Sequence, residues 1–266
     1  MLCFKMTDLL TQIALPFILS SFVVIFITIV AEKYGTKVGG ILGTLPTTII
    51  VAFYFIAINQ GVNFASRSVA VVPAEIGINL WFLLVFVILA YRSLTIALTS
   101  SFVVWFILSG ILYYTNLTNI YVSFLIFVIS MVVTFLLLEK VKKVKSQGKV
   151  KVKYTISKIL LRGILTGLFI TISVLLANVG EVLSGIFSVF PVILTSTMFI
   201  TYREHGPDFS AGIAKSMIFG CWSVMSYAVV IHFLYPTHGI IVGSIAGFLV
   251  GLTITLFIIK LRQIIS

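Results

Sequence analysis

Three groups of residues in this sequence are of types that do chemistry. The first is Glu75, which stands in an apolar run over about 68–90, with Asn79 four residues on and therefore on the same helical face. Seven residues into such a run is roughly 10 Å below a bilayer surface at 1.5 Å per residue. An ionised carboxylate there is expensive, so it must face the protein interior, meet a cation or take up a proton. Lys215, in the run 211–235, is the cation expected to pair with it or to snorkel to the surface, and Arg162 is a second candidate. Glu75, Asn79 and Lys215 are thus the candidate coupling or ion-pair residues. The other two groups centre on prolines: Pro46 followed by Thr47 and Thr48, and Pro191 followed by Thr195, Ser196 and Thr197. Proline lacks an amide hydrogen and clashes with the preceding turn, so it frees backbone carbonyls. Neighbouring hydroxyls can re-satisfy those carbonyls, or two broken helices can meet and line a substrate site.

The elements that hold these residues follow from composition. Of 266 residues, 60% are hydrophobic and 9% charged, with a mean hydropathy of +1.22. Soluble domains are about a quarter charged, so this surface must be solvated by lipid. Nine apolar spans are expected, at about 9–31, 39–58, 68–90, 94–114, 120–138, 157–177, 183–201, 211–235 and 239–259. They are too long and too uniformly apolar for barrel strands, which leaves helices. The first has a single Lys5 as basic flank and no clear cleavage site after it, and reads as a retained helix.

The net charge of +11 is concentrated, with eight lysines between Lys140 and Lys158. Such a cluster signals a cytoplasmic loop facing anionic lipid heads and not a nucleic-acid surface. With that loop inside, the N-terminus lies outside and the C-terminus in the cytoplasm of what is expected to be the cell (inner) membrane. The inside segments then carry Lys33, Lys37, Arg92, Arg203, Lys260 and Arg262, and the outside ones little beyond Lys5 and Arg67. Asn116-Leu117-Thr118 matches a glycosylation sequon on a loop too short to use it.

The chain also repeats. Gly35, Gly40, Ile41, Pro46, Gly61 and Phe64 recur as Gly180, Gly185, Ile186, Pro191, Gly206 and Phe209 at a constant offset of 145. This predicts an all-α fold of two four-helix repeats, 1–114 and 156–266, joined by linker helix 5 and the basic loop (115–155). One extra crossing inverts the second repeat relative to the first, a plan common among secondary transporters. Ladders of small residues at four-residue spacing predict close helix contact: Gly35, Gly39 and Gly43; Gly180, Ser184 and Ser188; Gly239, Gly243, Gly247 and Gly251.

Catalytic and metal constellations are missing from the sequence: it has no HExxH, GxSxG, Walker loop or paired intramembrane aspartates. His205, His232 and His238 are scattered, and each reads as a loop or interfacial residue. Trp81, Trp105 and Trp222 read as packing or interfacial anchors. Cys3 and Cys221 form no disulfide framework.

The run Ser184-Gly185-Ile186-Phe187-Ser188-Val189-Phe190-Pro191, then Arg203-Glu204-His205-Gly206 and Phe219-Gly220-Cys221-Trp222-Ser223-Val224, resembles the small GlpM-like inner-membrane proteins over about 178–260. The resemblance implies a multi-span membrane fold more than an activity, here as a tandem two-unit form. The first half keeps the proline but lacks the tryptophan segment. The expected function is a secondary transporter or permease for a small solute or ion, with a non-transporting envelope assembly factor as the alternative. No enzyme activity, cofactor or metal is expected. The expected partners are membrane lipids and a small solute or ion, with no nucleic acid, and a homo-oligomer is compatible with the fold.

Overall fold

The computed structural model describes residues 9–42, 45–141 and 155–265, and all of their regular structure is helical. A π-helical turn at Leu10–Ala14 leads into α1 (Leu15–Leu42), followed by α2 (Thr47–Gln60), α3 (Val62–Val69), α4 (Val72–Leu89) and α5 (Leu94–Tyr114). Then come α6 (Ile120–Val141), α7 (Ile156–Leu176) and α8 (Glu181–Ser188). The stretch Val192–Ile265 is helical except at Gly206 (φ 80°, ψ −177°) and Gly239 (φ 80°, ψ 178°). These two glycines divide it into α9 (192–205), α10 (207–238) and α11 (240–265). A positive φ of this kind is open to glycine and strained for other residues, so the glycines fix where the chain turns.

Six helical stretches are long and apolar enough to cross a bilayer: Leu10–Val30, Val62–Leu89, Leu94–Tyr114, Ile120–Leu138, Ile156–Leu176 and Glu181–Lys260. The last is 80 residues long, several times the ~20 that one crossing needs, and its breaks divide it into successive helices. Large apolar side chains such as Phe22, Phe26, Phe106, Ile107, Leu125, Ile129, Ile245 and Phe257 stand exposed on α1, α5, α6 and α11. Acyl chains solvate such a surface and water does not. The chain is an integral membrane protein. By contrast, 83% of the most apolar part of Val62–Leu89 is buried, which makes α3 and α4 the central column of the bundle.

This column differs from the sequence expectation. It begins at Val62, not near 68, and is interrupted at Ala70–Val71 ahead of Pro73. Glu75 therefore lies thirteen residues from one end of Val62–Leu89 and fourteen from the other, about 20 Å from each. It is near the middle of the stretch and not a short way below one surface.

The offset of 145 is visible in the backbone. Gly61 (φ 89°) and Gly206 (φ 80°) both sit in the left-handed region. Helices restart one residue after Pro46 and after Pro191, and α5 and α11 begin within one residue of matching positions. The halves diverge before the prolines. The second half breaks at 177–180 between α7 and α8, whereas α1 runs on to Leu42.

Equivalent helices pack against each other head to tail. A Cβ added to Gly163 would meet Ile25 at 2.7 Å, and one added to Gly167 would meet the Phe17 carbonyl at 2.8 Å and collide with Ser21. Residue numbers rise along α7 as they fall along α1, so the two helices are antiparallel. The register makes Thr166 the counterpart of Ser21 and Gly167 the counterpart of Phe22, so each helix crosses its partner at its own equivalent position. The α3–α4 column and α10 behave likewise. Ser66 meets His232 at one end and Tyr91 meets Asp208 at the other. A half-turn about an axis perpendicular to the helices produces this pattern. A translation or a rotation about an axis along them does not.

The small-residue ladders divide. Gly243 and Gly247 seat the rings of Tyr235 and Tyr227, and Gly251 seats Pro46. Gly239 belongs to the break and not to the ladder, with nothing near a Cβ placed there, and Gly180 is equally open. Ser184 and Ser173 bond each other's carbonyls at 2.9 and 2.8 Å, locking α8 to α7. Gly43 and the basic stretch 142–154 lie outside the described residues.

Candidate functional site

The two proline breaks face a common cavity of about 90 Å³, room for about three water molecules. Leu45, Thr48 and Ile49 come from the start of α2, and Phe187 to Leu194 from the break between α8 and α9. Ile76 and Asn79 of α4, Thr166, Phe169 and Ile170 of α7, and Cys221 and Val224 of α10 complete the wall. Five pairs of these residues are separated by 145: Leu45 and Phe190, Thr48 and Ile193, Ile49 and Leu194, Ile76 and Cys221, Asn79 and Val224. Both members of each pair thus line the same cavity.

Its wall holds a broken helix in place with side chains. α8 ends at Val189 (φ −120°, ψ 25°), leaving carbonyls with no helical partner. Asn79 Nδ2 donates to the Val189 carbonyl at 2.9 Å, and Trp105 Nε1 of α5 donates to Asn79 Oδ1 at 3.0 Å. One turn away, Ser109 of α5 donates to Glu75 Oε1 at 2.7 Å. The Glu75–Ser109 and Asn79–Trp105 pairs are thus two successive rungs between α4 and α5. Glu75 is fully buried, and its second oxygen, Oε2, has no hydrogen-bond partner. An aromatic cluster backs the break: Phe190 stacks on Phe169 at 3.8 Å and packs edge-on against Trp105 at 4.8 Å.

The sequence-predicted residues are only partly brought together. Thr48, Asn79 and Pro191 line the cavity. Pro46 is turned toward Gly251 of α11, and Thr47 follows it at the start of α2, its amide bonded to the Leu45 carbonyl at 2.7 Å. Thr195 bonds the Pro191 carbonyl at 2.7 Å and Ser196 the Ile193 carbonyl at 3.2 Å. Both hydroxyls bond carbonyls in the first turn of α9, where the Pro191 carbonyl also accepts from the Thr195 amide at 2.9 Å. Thr197 is buried and its carbonyl accepts from Thr201. The expected Glu75–Lys215 pair is not what the carboxyl makes, since its partner is Ser109. Lys215 lies over the Phe135 ring at 5.9 Å. Ion pairs occur instead near the ends of the bundle, as Arg67–Glu181 and Lys158–Glu204.

Trp105, expected as a packing or anchoring residue, is fully buried and packs against Phe187 and Phe190, and its indole also orients Asn79. Ser109 was not singled out at all, because a lone serine in an apolar helix has no spacing that marks it. His232 clasps α3 to α10, with Nδ1 donating to the Ser66 carbonyl at 2.8 Å and Ser66 Oγ donating to the His232 carbonyl at 2.6 Å. Among the described residues, no three His, Cys, Asp or Glu side chains lie close enough to share a metal ion.

Polar clusters close both ends. At one end Thr11 bonds Asn59, Gln60 bonds Asn178, and Asn178 bonds Gln12. At the other, Tyr91 donates to Asp208 at 2.6 Å. Partial burial and the Asp208 carboxylate push the Tyr91 phenol up to about 12.

Comparison with known proteins adds one match. A family described as a protein of unknown function (DUF3147) matches residues 13–119. That segment runs from the start of α1 to just past α5, one of the two units marked out by the offset. The match falls on the first half, whereas the GlpM-like resemblance was drawn from the second, and nothing in the comparison supports that name or a tandem form of it. No curated protein and no solved structure matches the chain.

Proposed function

We propose that the chain is a permease for a small solute or ion, and that the cavity between the two broken helices is its binding site. The observation that carries this reading is the self-matching wall, in which five lining pairs are related by the offset of 145. In this reading the units 1–114 and 156–266 are inverted-topology repeats, linked by 115–155. Counting α2 and α8–α9 as one broken crossing each gives nine crossings. The basic loop is cytoplasmic, the N-terminus outside and the C-terminus inside, in the cell membrane. A site on the axis of two inverted units is presented alike to both surfaces. Rocking one unit against the other then exchanges access without moving the site.

The breaks supply the polar lining that an apolar bundle otherwise lacks. Unwound backbone at membrane depth is tolerated where it is buried in protein or lines a cavity. Asn79 holds one such carbonyl while its own position is fixed by Trp105, so the wall is preorganised.

The test is shrinkage of proteoliposomes after osmotic shock with glycerol, urea, potassium chloride or sodium chloride, read by light scattering. Recovery faster than in empty liposomes for at least one solute is expected. Val224→Trp, which fills the cavity, should return that recovery to the empty-liposome rate while the protein remains monodisperse. Empty-liposome rates for every solute would favour an assembly or scaffold role.

A further inference from the structure

We propose that Glu75 is a proton-exchange site whose state is passed along one helical turn to Asn79, and so to the break at Val189, making permeation proton-coupled. This rests on the permease reading above and names its coupling ion.

The geometry isolates one atom. Glu75 Oε1 is held by Ser109 at 2.7 Å, while Oε2 is buried with no hydrogen-bond partner. Oε2 therefore carries the proton when the carboxyl is neutral, and must find water or a donor when it is charged. The reaction is a plain acid dissociation, with the proton passing between Oε2 and water admitted through the cavity. The cavity wall begins at Ile76, the next residue, and includes Asn79 one turn on. Ser109 donates to Oε1 in either state, so the carboxyl keeps its place while its charge changes.

Among the described residues, no second ionisable side chain bonds this carboxyl. The ionisable residues on the helices packed around α4 are Tyr113 and Tyr114 on α5, Tyr121, Glu139 and Lys140 on α6, Glu181 on α8, and Asp208, Cys221, Tyr227, His232, Tyr235 and His238 on α10. Lys215 is also on α10, over Phe135. Glu181 is engaged by Arg67 at 2.7 Å, His232 by Ser66, and Tyr227 faces Tyr235.

Transmission follows from the paired rungs. Glu75 and Asn79 are four residues apart on α4, and Ser109 and Trp105 four apart on α5. A charge appearing at Oε2 draws water or a donor into the space between the two helices. Any shift of one helix against the other reaches the Trp105–Asn79 bond and the hold of Asn79 on the Val189 carbonyl.

The protein reconstituted in phosphatidylcholine liposomes would be titrated with pH under infrared difference spectroscopy. In parallel, Trp105 emission would be followed in a Trp81→Phe, Trp222→Phe background. A protonated-carboxyl band that titrates, is lost in Glu75→Gln, and shares its midpoint with Trp105 emission is expected. Ser109→Ala keeps the carboxyl, so its band should persist with the midpoint displaced by about one pH unit. No titrating band, or a band unchanged in Glu75→Gln, overturns the site. A titrating band with flat Trp105 emission overturns the coupling. Neither readout depends on solute flux, so failure of the permease reading, seen as flux insensitive to Val224→Trp, is told apart from failure of this one.

Discussion

At the residue scale, Asn79 does more than its type announces. It satisfies a carbonyl freed by the break at 189–191 and an indole N–H at the same time. Asn79→Leu would leave both buried groups without partners, at a cost of about 1–3 kcal/mol in stability. Asn79→Asp keeps an acceptor for Trp105 but loses the donor to Val189, and introduces a buried charge beside Glu75. Thermal unfolding in detergent should therefore rank wild type above both variants. Equal stability of Asn79→Leu and wild type would show that water replaces the lost bonds. The expectation for Glu75 followed a rule of charge types, which points to lysine. The structure uses a serine hydroxyl on the neighbouring helix, because at that depth a short donor already within reach needs no second buried charge.

The element scale is where helices meet, and two glycines, one on α7 and one on α5, test it. A Cβ on Gly167 would collide with Ser21 of α1, whereas Gly110 of α5 has nothing within 4 Å. Gly167→Ala should thus push α1 and α7 apart and lower the unfolding temperature. Gly110→Ala should be neutral or stabilising by about 0.5–1 kcal/mol, as expected for a glycine removed from a helix interior. Tyr91, between α4 and α5, ties that end to α10 through Asp208. Its pKa is raised from 10.0 to about 12 in the folded chain, so its stabilising contribution is complete below about pH 10 and lost as pH rises through about 12. The difference in unfolding temperature between wild type and Tyr91→Phe should be present at neutral pH and vanish in strong alkali. A difference independent of pH would assign the effect to ring packing alone. The breaks at Pro46, Gly61, Pro191 and Gly206 were legible in the sequence, since proline and glycine act on their own backbone. The faces of the helices were not. α4 is apolar on every side, and such a helix has no polar stripe to show what it packs against. Gly239 shows the same limit from the other direction, as its spacing fitted a packing ladder while its φ of 80° serves a turn.

At the scale of the whole molecule, the offset of 145 paired positions of the two halves in sequence, but did not show that α1 would cross α7 or where the cavity would lie. Those are contacts between residues more than a hundred positions apart, set by tertiary packing and not by any local period. The orientation in the membrane can be read by single cysteines. Those at Asn116 and Pro236 should label from outside, and those at Arg92 and Lys158 from the cytoplasmic side. Labelling of all four from one side would contradict the crossing pattern. The central claim is that the cavity between the two proline breaks opens to both surfaces, and Cys221 lines it. In a Cys3→Ser chain, Cys221 is the remaining thiol. Its reaction with a membrane-impermeant methanethiosulfonate would be measured in right-side-out and inside-out vesicles. Modification from both faces, slowed in each case by Val224→Trp, is the predicted result. Modification from neither face, with full reaction only after unfolding, would contradict it.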